Sequence, residues 1–214
     1  MTRPLPDEPF PRDLLAGDTL AAARALIGAR LVREPDGAAA ARRVGRIVEV
    51  EAYIGIEDRA SHARMGPTQR NRVMFGPPGV AYVYLVYGMH HCLNVVTEAA
   101  GRPAAVLVRA IEPLEGLDLM RDARGWPGLP DHRLAAGPGC VGAAFGLDRS
   151  FSGMDLCDPA SPLRLAPALA GEPHTARTIL EGPRVGIAYA GEPWVSKPWR
   201  LALAGSRALS RRMP

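Results

Sequence analysis

The sequence contains almost no lysine, few cysteines and no long apolar run. Lys197 is the only lysine among 26 basic residues, so arginine carries nearly all of the positive charge. The cysteines, Cys92, Cys140 and Cys157, are widely spaced and odd in number, which excludes a disulfide framework and a zinc pattern. No stretch reaches the roughly 18 apolar residues that a membrane helix needs, and residues 1–8 lack the features of a secretory signal. We therefore expect a cytoplasmic protein with reduced thiols and no membrane contact.

The composition is typical of a globular protein, and basic residues outnumber acidic ones. The 214 residues are 47% hydrophobic and 22% charged, which is enough for one domain with a buried core. The net charge of +4 permits binding to a polyanion. A GC-rich codon bias is the simpler explanation for the scarcity of lysine, yet arginine also suits bidentate contacts with phosphate.

The order of strand, turn and helix signals predicts a single α+β domain built on antiparallel strands. We expect residues 1–14 to form a flexible arm and residues 15–210 to form the domain. A helix capped by Asp18 is followed by predicted strands at 29–34 and 41–53. The remaining predicted elements are a hairpin over 80–96, a strand at 104–111, a helix that begins near Pro113, a short helix at 141–145, and strands at 184–189 and 199–203.

Within residues 47–53 (IVEVEAY), valine and glutamate alternate from Val48 to Glu51. On a strand the valines at 48 and 50 then face one side, and Glu49 and Glu51 face the other, about 6.6 Å apart. A half-buried strand with a solvated acidic face explains this pattern by itself. Because a long, basic, polar loop follows the strand directly, the two glutamates are also candidates for a substrate site.

His62 lies in that loop, and four of the five tyrosines lie between residues 53 and 87. A lone histidine, or an aromatic residue on a strand, most often has a structural role. Tyr82 and Tyr84 share one face of their predicted strand, whereas Tyr87 lies beside the turn and points the other way. An exposed tyrosine at a hairpin tip next to a basic loop is typical of a wedge that enters stacked bases.

Two polar residues interrupt apolar strands: Arg109 within AAVLVRAI and Asn94 within CLNVV. A buried charge must be paired. Arg109 is therefore either part of a structural salt bridge or the partner that holds Glu51 ionised and fixes a water. Asn94 either completes a hydrogen bond of a ladder or turn, or contacts the edge of a base.

Together these residues fall within an ordered set of motifs that resembles the alkyladenine DNA glycosylase family, also called the 3-methyladenine or methylpurine DNA glycosylases. The matching segments are IVEVEAYIG (47–55), EDRASH (57–62), TQRNR (68–72), YVYLVYGMHHCLN (82–94), VLVRAIEPLEG (106–116), GP (137–138), PRVGIAYAG (183–191) and KPWR (197–200). No single segment is decisive, but the ordered set is specific and covers most of residues 15–205.

The resemblance implies a base-excision-repair enzyme that flips alkylated or deaminated purines out of double-stranded DNA and hydrolyses the N-glycosidic bond, leaving an abasic site. In that family Glu51 corresponds to the general base that activates a water, and Arg109 to the residue that helps hold this water. Tyr87 corresponds to the side chain inserted where the base was.

The pocket for the flipped base follows from the same resemblance. Tyr53, His62 and Tyr84 are expected to form its walls, and Asn94 is expected to disfavour normal guanine. The family fold is a monomeric mixed α/β domain with a curved, mostly antiparallel sheet, flanking helices and a protruding hairpin, and it acts without a metal or other cofactor.

Two further features of the sequence bear on the chemistry. A glycosylase that also cleaves the strand needs an amine for a Schiff base. Because Lys197 is far along the chain from the candidate site, we predict a water nucleophile and no strand cleavage. Ala136 and Cys140 stand where the family often has asparagine and a basic residue, so one phosphate or pocket contact is either missing or supplied by another arginine.

Three alternatives stay open at this point. A non-catalytic nucleic-acid-binding module fits the basic charge and the clustered tyrosines, but not a buried pair of Glu51 and Arg109. A nucleoside hydrolase explains the carboxylate but not the wedge or the basic loop. A metal hydrolase that uses His90, His91, Cys92 and Glu51 is disfavoured because adjacent histidines on a strand face opposite sides.

Overall fold

An antiparallel sheet organises the computed structural model, which describes residues 8–34, 42–169 and 178–213. Within these ranges the strands are β1 (Arg30–Arg33), β2 (Arg43–Ile54), β3 (Ala81–Val86), β4 (His90–Val96), β5 (Ala104–Glu115), β6 (Ala135–Ala136), β7 (Leu163–Ala166), β8 (Ile179–Gly182) and β9 (Arg200–Leu203). The α-helices in the same ranges are α1 (Asp13–Ala16), α2 (Thr19–Leu26), α3 (Leu117–Arg124) and α4 (Pro138–Ala144). The expected α+β class with an antiparallel sheet is confirmed.

The two longest strands, β2 and β5, lie side by side in the sheet order β3-β4-β5-β2-β1-β7. Strand β2 pairs with β1 through its first residues and with β9 through Glu49–Glu51. The main hydrophobic core includes Ile47 and Val50 of β2 together with Leu26 of α2 and Val141 of α4. The centre of the sheet is therefore well packed, and it positions the side chains of β2 and β5.

Helix α2 begins where the sequence predicts. The Asp18 side chain accepts a hydrogen bond from the backbone N–H of Ala21 at 2.9 Å, which satisfies one of the free donors of the first turn. Packing begins earlier than the predicted arm boundary, since Phe10 is buried and its N–H donates to the Leu165 carbonyl. Residues 1–7 lie outside the described residues, so the arm itself stays a prediction.

The helix predicted to begin near Pro113 is wrong at its start. Strand β5 continues to Glu115, and a register shift opposite Val44 and Gly45 accommodates Pro113, which cannot donate to the ladder. Helix α3 begins only after Gly116, whose φ is +75°. A Cβ at this position would come within 2.3 Å of the Arg42 carbonyl oxygen, so the turn requires glycine.

The strand predicted at 184–189 is also wrong. The strand in this region is β8, and residues 184–187 are irregular, followed by a 3₁₀ turn at Ala188–Ala190. The backbone N–H of Val185 donates to the Glu51 carboxylate instead of to a neighbouring strand. Gly186, with a φ of +77°, also departs from strand geometry.

A bulge in β2 breaks the alternation that the sequence suggested. The register with β5 shifts on both sides of Glu49, so Ile47 and Val50 both reach the main core. Val48 packs instead with Ala110 and other residues of a separate cluster. The expectation that Val48 and Val50 share a face is therefore wrong, whereas Glu49 and Glu51 both contact Arg109, as a shared face requires.

Candidate active site

Arg109 of β5 and the two glutamates of β2 form a buried ion cluster. The Arg109 Nη1 atom lies 3.2 Å from Glu51 Oε1, and its Nε atom lies 2.9 Å from Glu49 Oε1. Burial opposes the charge on Arg109, but the two carboxylates outweigh burial and raise the pKa of the guanidinium above its ordinary value. The arginine therefore stays charged and holds the Glu51 carboxylate from one side.

Three donors fix the Glu51 carboxylate, which is fully buried. Besides Arg109, the N–H of Val185 donates to Oε1 at 2.7 Å, and the hydroxyl of Tyr53 donates to Oε2 at 2.9 Å. Burial and the neighbouring Glu51 charge raise the pKa of Tyr53 well above its usual value, so the phenol keeps its proton and donates. The ion pair and the two hydrogen bonds together fix the orientation of the Glu51 carboxylate.

Tyr53 connects this cluster to an aromatic pocket. The pocket is lined by Tyr53, Ala60, His62, Met74, Tyr82, Tyr84, Asn94 and Tyr189. Its mixture of aromatic and polar groups is typical of sites for small planar molecules. All of the pocket residues that the sequence singled out, namely Tyr53, His62, Tyr84 and Asn94, thus lie together around one cavity.

His62 stands at the edge of this pocket. Its ring centre lies 4.4 Å from that of Tyr84, and its Nδ1 atom lies 3.1 Å from the Tyr82 hydroxyl. Packing against these rings, together with the charges of Arg70 and Arg64, lowers the pKa of His62 to about 4. The imidazole is therefore neutral near pH 7 and offers hydrogen bonds without a charge.

Asn94 is buried opposite Tyr82 in the β3–β4 hairpin. Its Nδ2 atom donates to the Tyr82 carbonyl at 3.1 Å, which fixes the orientation of the amide. The side chain therefore satisfies a backbone acceptor and also lines the pocket, so the two readings that the sequence left open for Asn94 are compatible.

The tip of the same hairpin presents an exposed aromatic side chain. Tyr87 is 89% exposed, and Met89 beside it is 70% exposed. Tyr87 and Gly88 both have positive φ, +52° and +71°, in a turn closed by the Met89 N–H and the Val86 carbonyl. Positive φ at both central residues is the geometry of a tight hairpin turn, and it holds the Tyr87 ring away from the sheet.

A second buried ion pair, which the sequence did not indicate, joins the two walls of the pocket. Arg184 binds Asp58 through two hydrogen bonds of 2.5 and 2.9 Å, and both side chains are fully buried. The Arg184 guanidinium also lies 4.7 Å from the centre of the Tyr53 ring. The pair therefore fixes the loop that carries His62 against the segment that carries Tyr189.

A groove with basic residues runs beside Tyr84 on the outer side of the hairpin. Its lining residues are Thr68, Gln69, Arg70, Arg72, Val73, Val83, Tyr84, Leu85, Arg149 and Ser152. The guanidinium of Arg70 lies 5.3 Å from the Tyr84 ring centre, so the groove adjoins the pocket wall. Three arginines in one groove suit a phosphate backbone.

The metal site considered from the sequence is not assembled in the described part of the chain. No three His, Cys, Asp or Glu residues in these ranges are grouped so that they could hold a metal ion. His90 is exposed near the hairpin tip, whereas Glu51 lies in the ion cluster with Arg109. Of the two departures from the family pattern, Ala136 lies on β6 and pairs with Ala110 of β5, and Cys140 lies on α4.

The described residues contain no helix that could cross a membrane.

The model of the methylpurine-DNA glycosylase family matches residues 13–207. Relatives that carry the provisional name 3-methyladenine DNA glycosylase occur in Myxococcus xanthus, at 48% identity over 96% of this chain and 95% of the relative, and in Methanocella arvoryzae, at 45% identity over 96% and 97%. A third, from Nitrosospira multiformis, is 50% identical over 88% of this chain and 87% of the relative.

The described residues thus bring together an aromatic pocket, a buried carboxylate and a groove with three arginines. The chain belongs to the methylpurine-DNA glycosylase family, whose members are DNA-repair hydrolases that act on N-glycosyl bonds.

Proposed function

We propose that this chain is a monofunctional DNA glycosylase that flips alkylated or deaminated purines out of the duplex and hydrolyses their N-glycosidic bond with an activated water. The observation that carries the proposal is the Glu51 carboxylate, held by Arg109 and the Val185 N–H directly behind the aromatic pocket. The enzyme leaves an abasic site and works as a monomer without a cofactor.

Base flipping is the first step. A purine inside a duplex cannot present its anomeric carbon to a positioned water, and extruding it costs a few kcal/mol. Tyr87 is exposed at the hairpin tip and of the right shape to occupy the vacated space. The groove with Arg70, Arg72 and Arg149 supplies contacts with the phosphate backbone that do not depend on sequence.

The pocket then selects the damaged base. A cationic alkylpurine stacked on Tyr53 and Tyr84 gains about 0.5–2 kcal/mol of cation–π attraction. Neutral deaminated purines lack this gain, and for them a neutral His62 provides a hydrogen bond in place of charge. Asn94, whose amide is fixed by the Tyr82 carbonyl, opposes the exocyclic amino group of guanine.

Glu51 performs the proton transfer. When a nucleotide enters, the Tyr53 hydroxyl gives up Oε2 to a water, which Glu51 deprotonates as it attacks the anomeric carbon. The sugar passes through an oxocarbenium-like state, and the same carboxylate faces its positive charge. An alkylated or protonated base is already a good leaving group, so a second strong acid is less necessary.

The surroundings of Lys197 favour water over an amine as the nucleophile. Its Nζ atom lies 4.5 Å from the ring centre of Trp199 and 5.1 Å from that of Trp194, whereas the Glu51 carboxylate is hydrogen-bonded to the pocket residue Tyr53. Incubation with lesion-bearing DNA and borohydride should therefore trap no covalent adduct. A trapped adduct would show that the enzyme is a lyase.

The central test is a panel of duplex oligonucleotides that each carry 7-methylguanine, 3-methyladenine, hypoxanthine or ethenoadenine, with alkali to reveal abasic sites. We expect the wild type to release at least one of these bases, and Glu51→Gln to lose about 10²–10⁴ of the rate, the range of general base catalysis, while it still binds the lesion. Equal rates for the mutant and the wild type would refute the assignment of Glu51.

The two alternatives without a metal give different results in the same experiment. A binding module would retain salt-dependent affinity for duplex DNA but release no base from any oligonucleotide. A nucleoside hydrolase would act on free nucleosides, and its rate would not depend on Tyr87. Assays on nucleosides and on duplexes therefore separate the three functions.

A further inference from the structure

Glu49 lies two residues before Glu51 on β2, is fully buried and is not among the residues that line the pocket. Its carboxylate accepts four hydrogen bonds, which use about all of its acceptor sites. Oε1 accepts from Arg109 Nε at 2.9 Å, from Arg200 Nε at 2.8 Å and from Ser210 Oγ at 2.7 Å, and Oε2 accepts from the Ser210 N–H at 2.6 Å.

These contacts determine how Arg109 is oriented. The guanidinium is planar, with its donors in a fixed arrangement. Glu49 holds its Nε atom, and the Ser210 hydroxyl accepts from Nη2 at 3.0 Å. With these two atoms fixed, Nη1 is directed at Glu51 Oε1. A guanidinium bound to Glu51 alone could rotate about that contact.

The same cluster is balanced in charge. Two carboxylates, Glu49 and Glu51, face two guanidiniums, Arg109 and Arg200, all of them nearly or completely buried. Without Glu49, Arg109 would keep Glu51 as a carboxylate partner, and Arg200 would lose the carboxylate that it binds. We expect Arg109 then to turn toward Glu51 and to occupy the oxygen that the water needs.

The cluster is closed by the C-terminal part of the chain. Ser210 supplies a hydroxyl and a backbone N–H to Glu49, and the Arg211 carbonyl accepts from Arg200 Nη2 at 2.7 Å. Ala208, two residues earlier, packs with Val48 of β2. Ser210 is thus held next to β2, where it contacts both Glu49 and Arg109.

We propose that Glu49 and Ser210 are positioning residues that set the orientation of Arg109 toward Glu51, so that the C-terminal segment controls the rate of base release without touching DNA. This inference rests on the proposed function, in which Glu51 and Arg109 hold the water.

The test compares Glu49→Gln and Ser210→Ala in the wild type and in Arg109→Lys. The measurements are the single-turnover rate of base release from a duplex methylated with dimethyl sulfate and the Kd for a duplex with a tetrahydrofuran abasic site. Glu34→Gln is the matched control, because Glu34 also binds two arginines, Arg42 and Arg164, but contacts neither Glu51 nor Arg109.

In the wild type we expect Glu49→Gln to slow base release about 10²-fold and Ser210→Ala about 10-fold, the scale of a misplaced catalytic group. Both should leave the Kd unchanged, and Glu34→Gln should leave the rate unchanged. In the Arg109→Lys background the effects of Glu49→Gln and Ser210→Ala should largely disappear, since residues that act through one group are not additive.

Equal effects in both backgrounds would overturn the proposal, because a purely structural role does not depend on Arg109. Should Glu49→Gln fail to fold, Ser210→Ala carries the test, since it keeps the buried charges. Normal base release by the Glu49 and Ser210 variants, beside an inactive Glu51→Gln, would overturn this inference alone. Normal release by Glu51→Gln and Arg109→Lys would overturn the proposed function itself.

Discussion

The tip of the hairpin differs in physical terms from the buried Glu51–Arg109 pair behind the pocket, which we call the floor. At the floor, Glu51 binds Arg109, the Tyr53 hydroxyl and the Val185 N–H, and Arg109 also binds Glu49 and Ser210. At the tip, Tyr87 is 89% exposed and Met89 is 70% exposed. In the proposed function, the buried charges would be arranged in advance for chemistry, whereas the exposed side chains would make their contacts only when DNA is bound.

Substitutions in these two regions should affect folding stability and activity differently. A buried ion pair is costly to break because the remaining charge has no partner, whereas an exposed side chain can be removed without affecting folding. Variants at the floor should therefore lose both properties together, and variants at the tip should lose activity alone.

The largest expected effect is at the floor. Arg109→Ala should lower the free energy of unfolding by about 3–5 kcal/mol, because Glu49 and Glu51 would stay buried with fewer positive partners. Base release should fall about 10²–10³-fold, on the scale of a lost electrostatic contact in an active site. Urea denaturation and single-turnover assays measure the two effects, and a stable but inactive variant would show that the floor is less tightly coupled than we describe.

The next effect is at the tip. Tyr87→Ser should leave the urea midpoint within experimental error, while flipping weakens and base release slows about 10-fold, since the wedge offsets only part of a cost of a few kcal/mol. Fluorescence of a 2-aminopurine placed beside the lesion reports the flipping. Tyr87→Gly is the control for the turn, because glycine adopts the observed φ of +52° without strain. Unchanged fluorescence and rate would contradict the wedge.

The next effect is a pH dependence of folding stability, and it is expected at His62. The folded protein holds the pKa of this histidine at about 4, below the ordinary 6.5, so the unfolded chain takes up the proton first. The stability that depends on neutral His62 is complete above pH 6.5 and is lost as the pH falls toward 4. His62→Gln should remove part of this loss. Urea midpoints at several pH values in this window check it, and parallel curves for mutant and wild type would contradict it.

The smallest effect should come from the groove. Arg149→Ala should weaken binding to undamaged and damaged duplexes alike and lower the slope of log K against log salt by about 1, the value for one phosphate contact. Fluorescence anisotropy at several salt concentrations measures it. A change that depends on the lesion would instead place Arg149 in base recognition.

The sequence predicted those parts of the site that depend on local rules. The helix cap at Asp18, the β3–β4 hairpin and the pairing of Arg109 with a glutamate all follow from residues that have few other solutions. The resemblance to the glycosylases then assigned the pocket residues, and the structure places Tyr53, His62, Tyr84 and Asn94 around one cavity.

The parts that could not be predicted depend on contacts between distant residues or on the register of strands. Nothing near Ser210 indicates that it binds Glu49, 161 residues away. The bulge at Glu49 and the continuation of β5 through Pro113 arise from register shifts, which alternation of residue types does not reveal. Strand β7 was missed because it is only four residues long and has prolines on both sides.

The Asp58–Arg184 pair has a consequence for how the protein folds. Its two residues are separated by 126 positions, so the pocket is incomplete until most of the chain has been synthesised and its late segment has docked. A nascent or partly refolded chain would carry the hairpin and its wedge without a finished cavity. We expect catalytic competence to appear only when the segment that carries Arg184 has docked together with strands β8 and β9, which flank it.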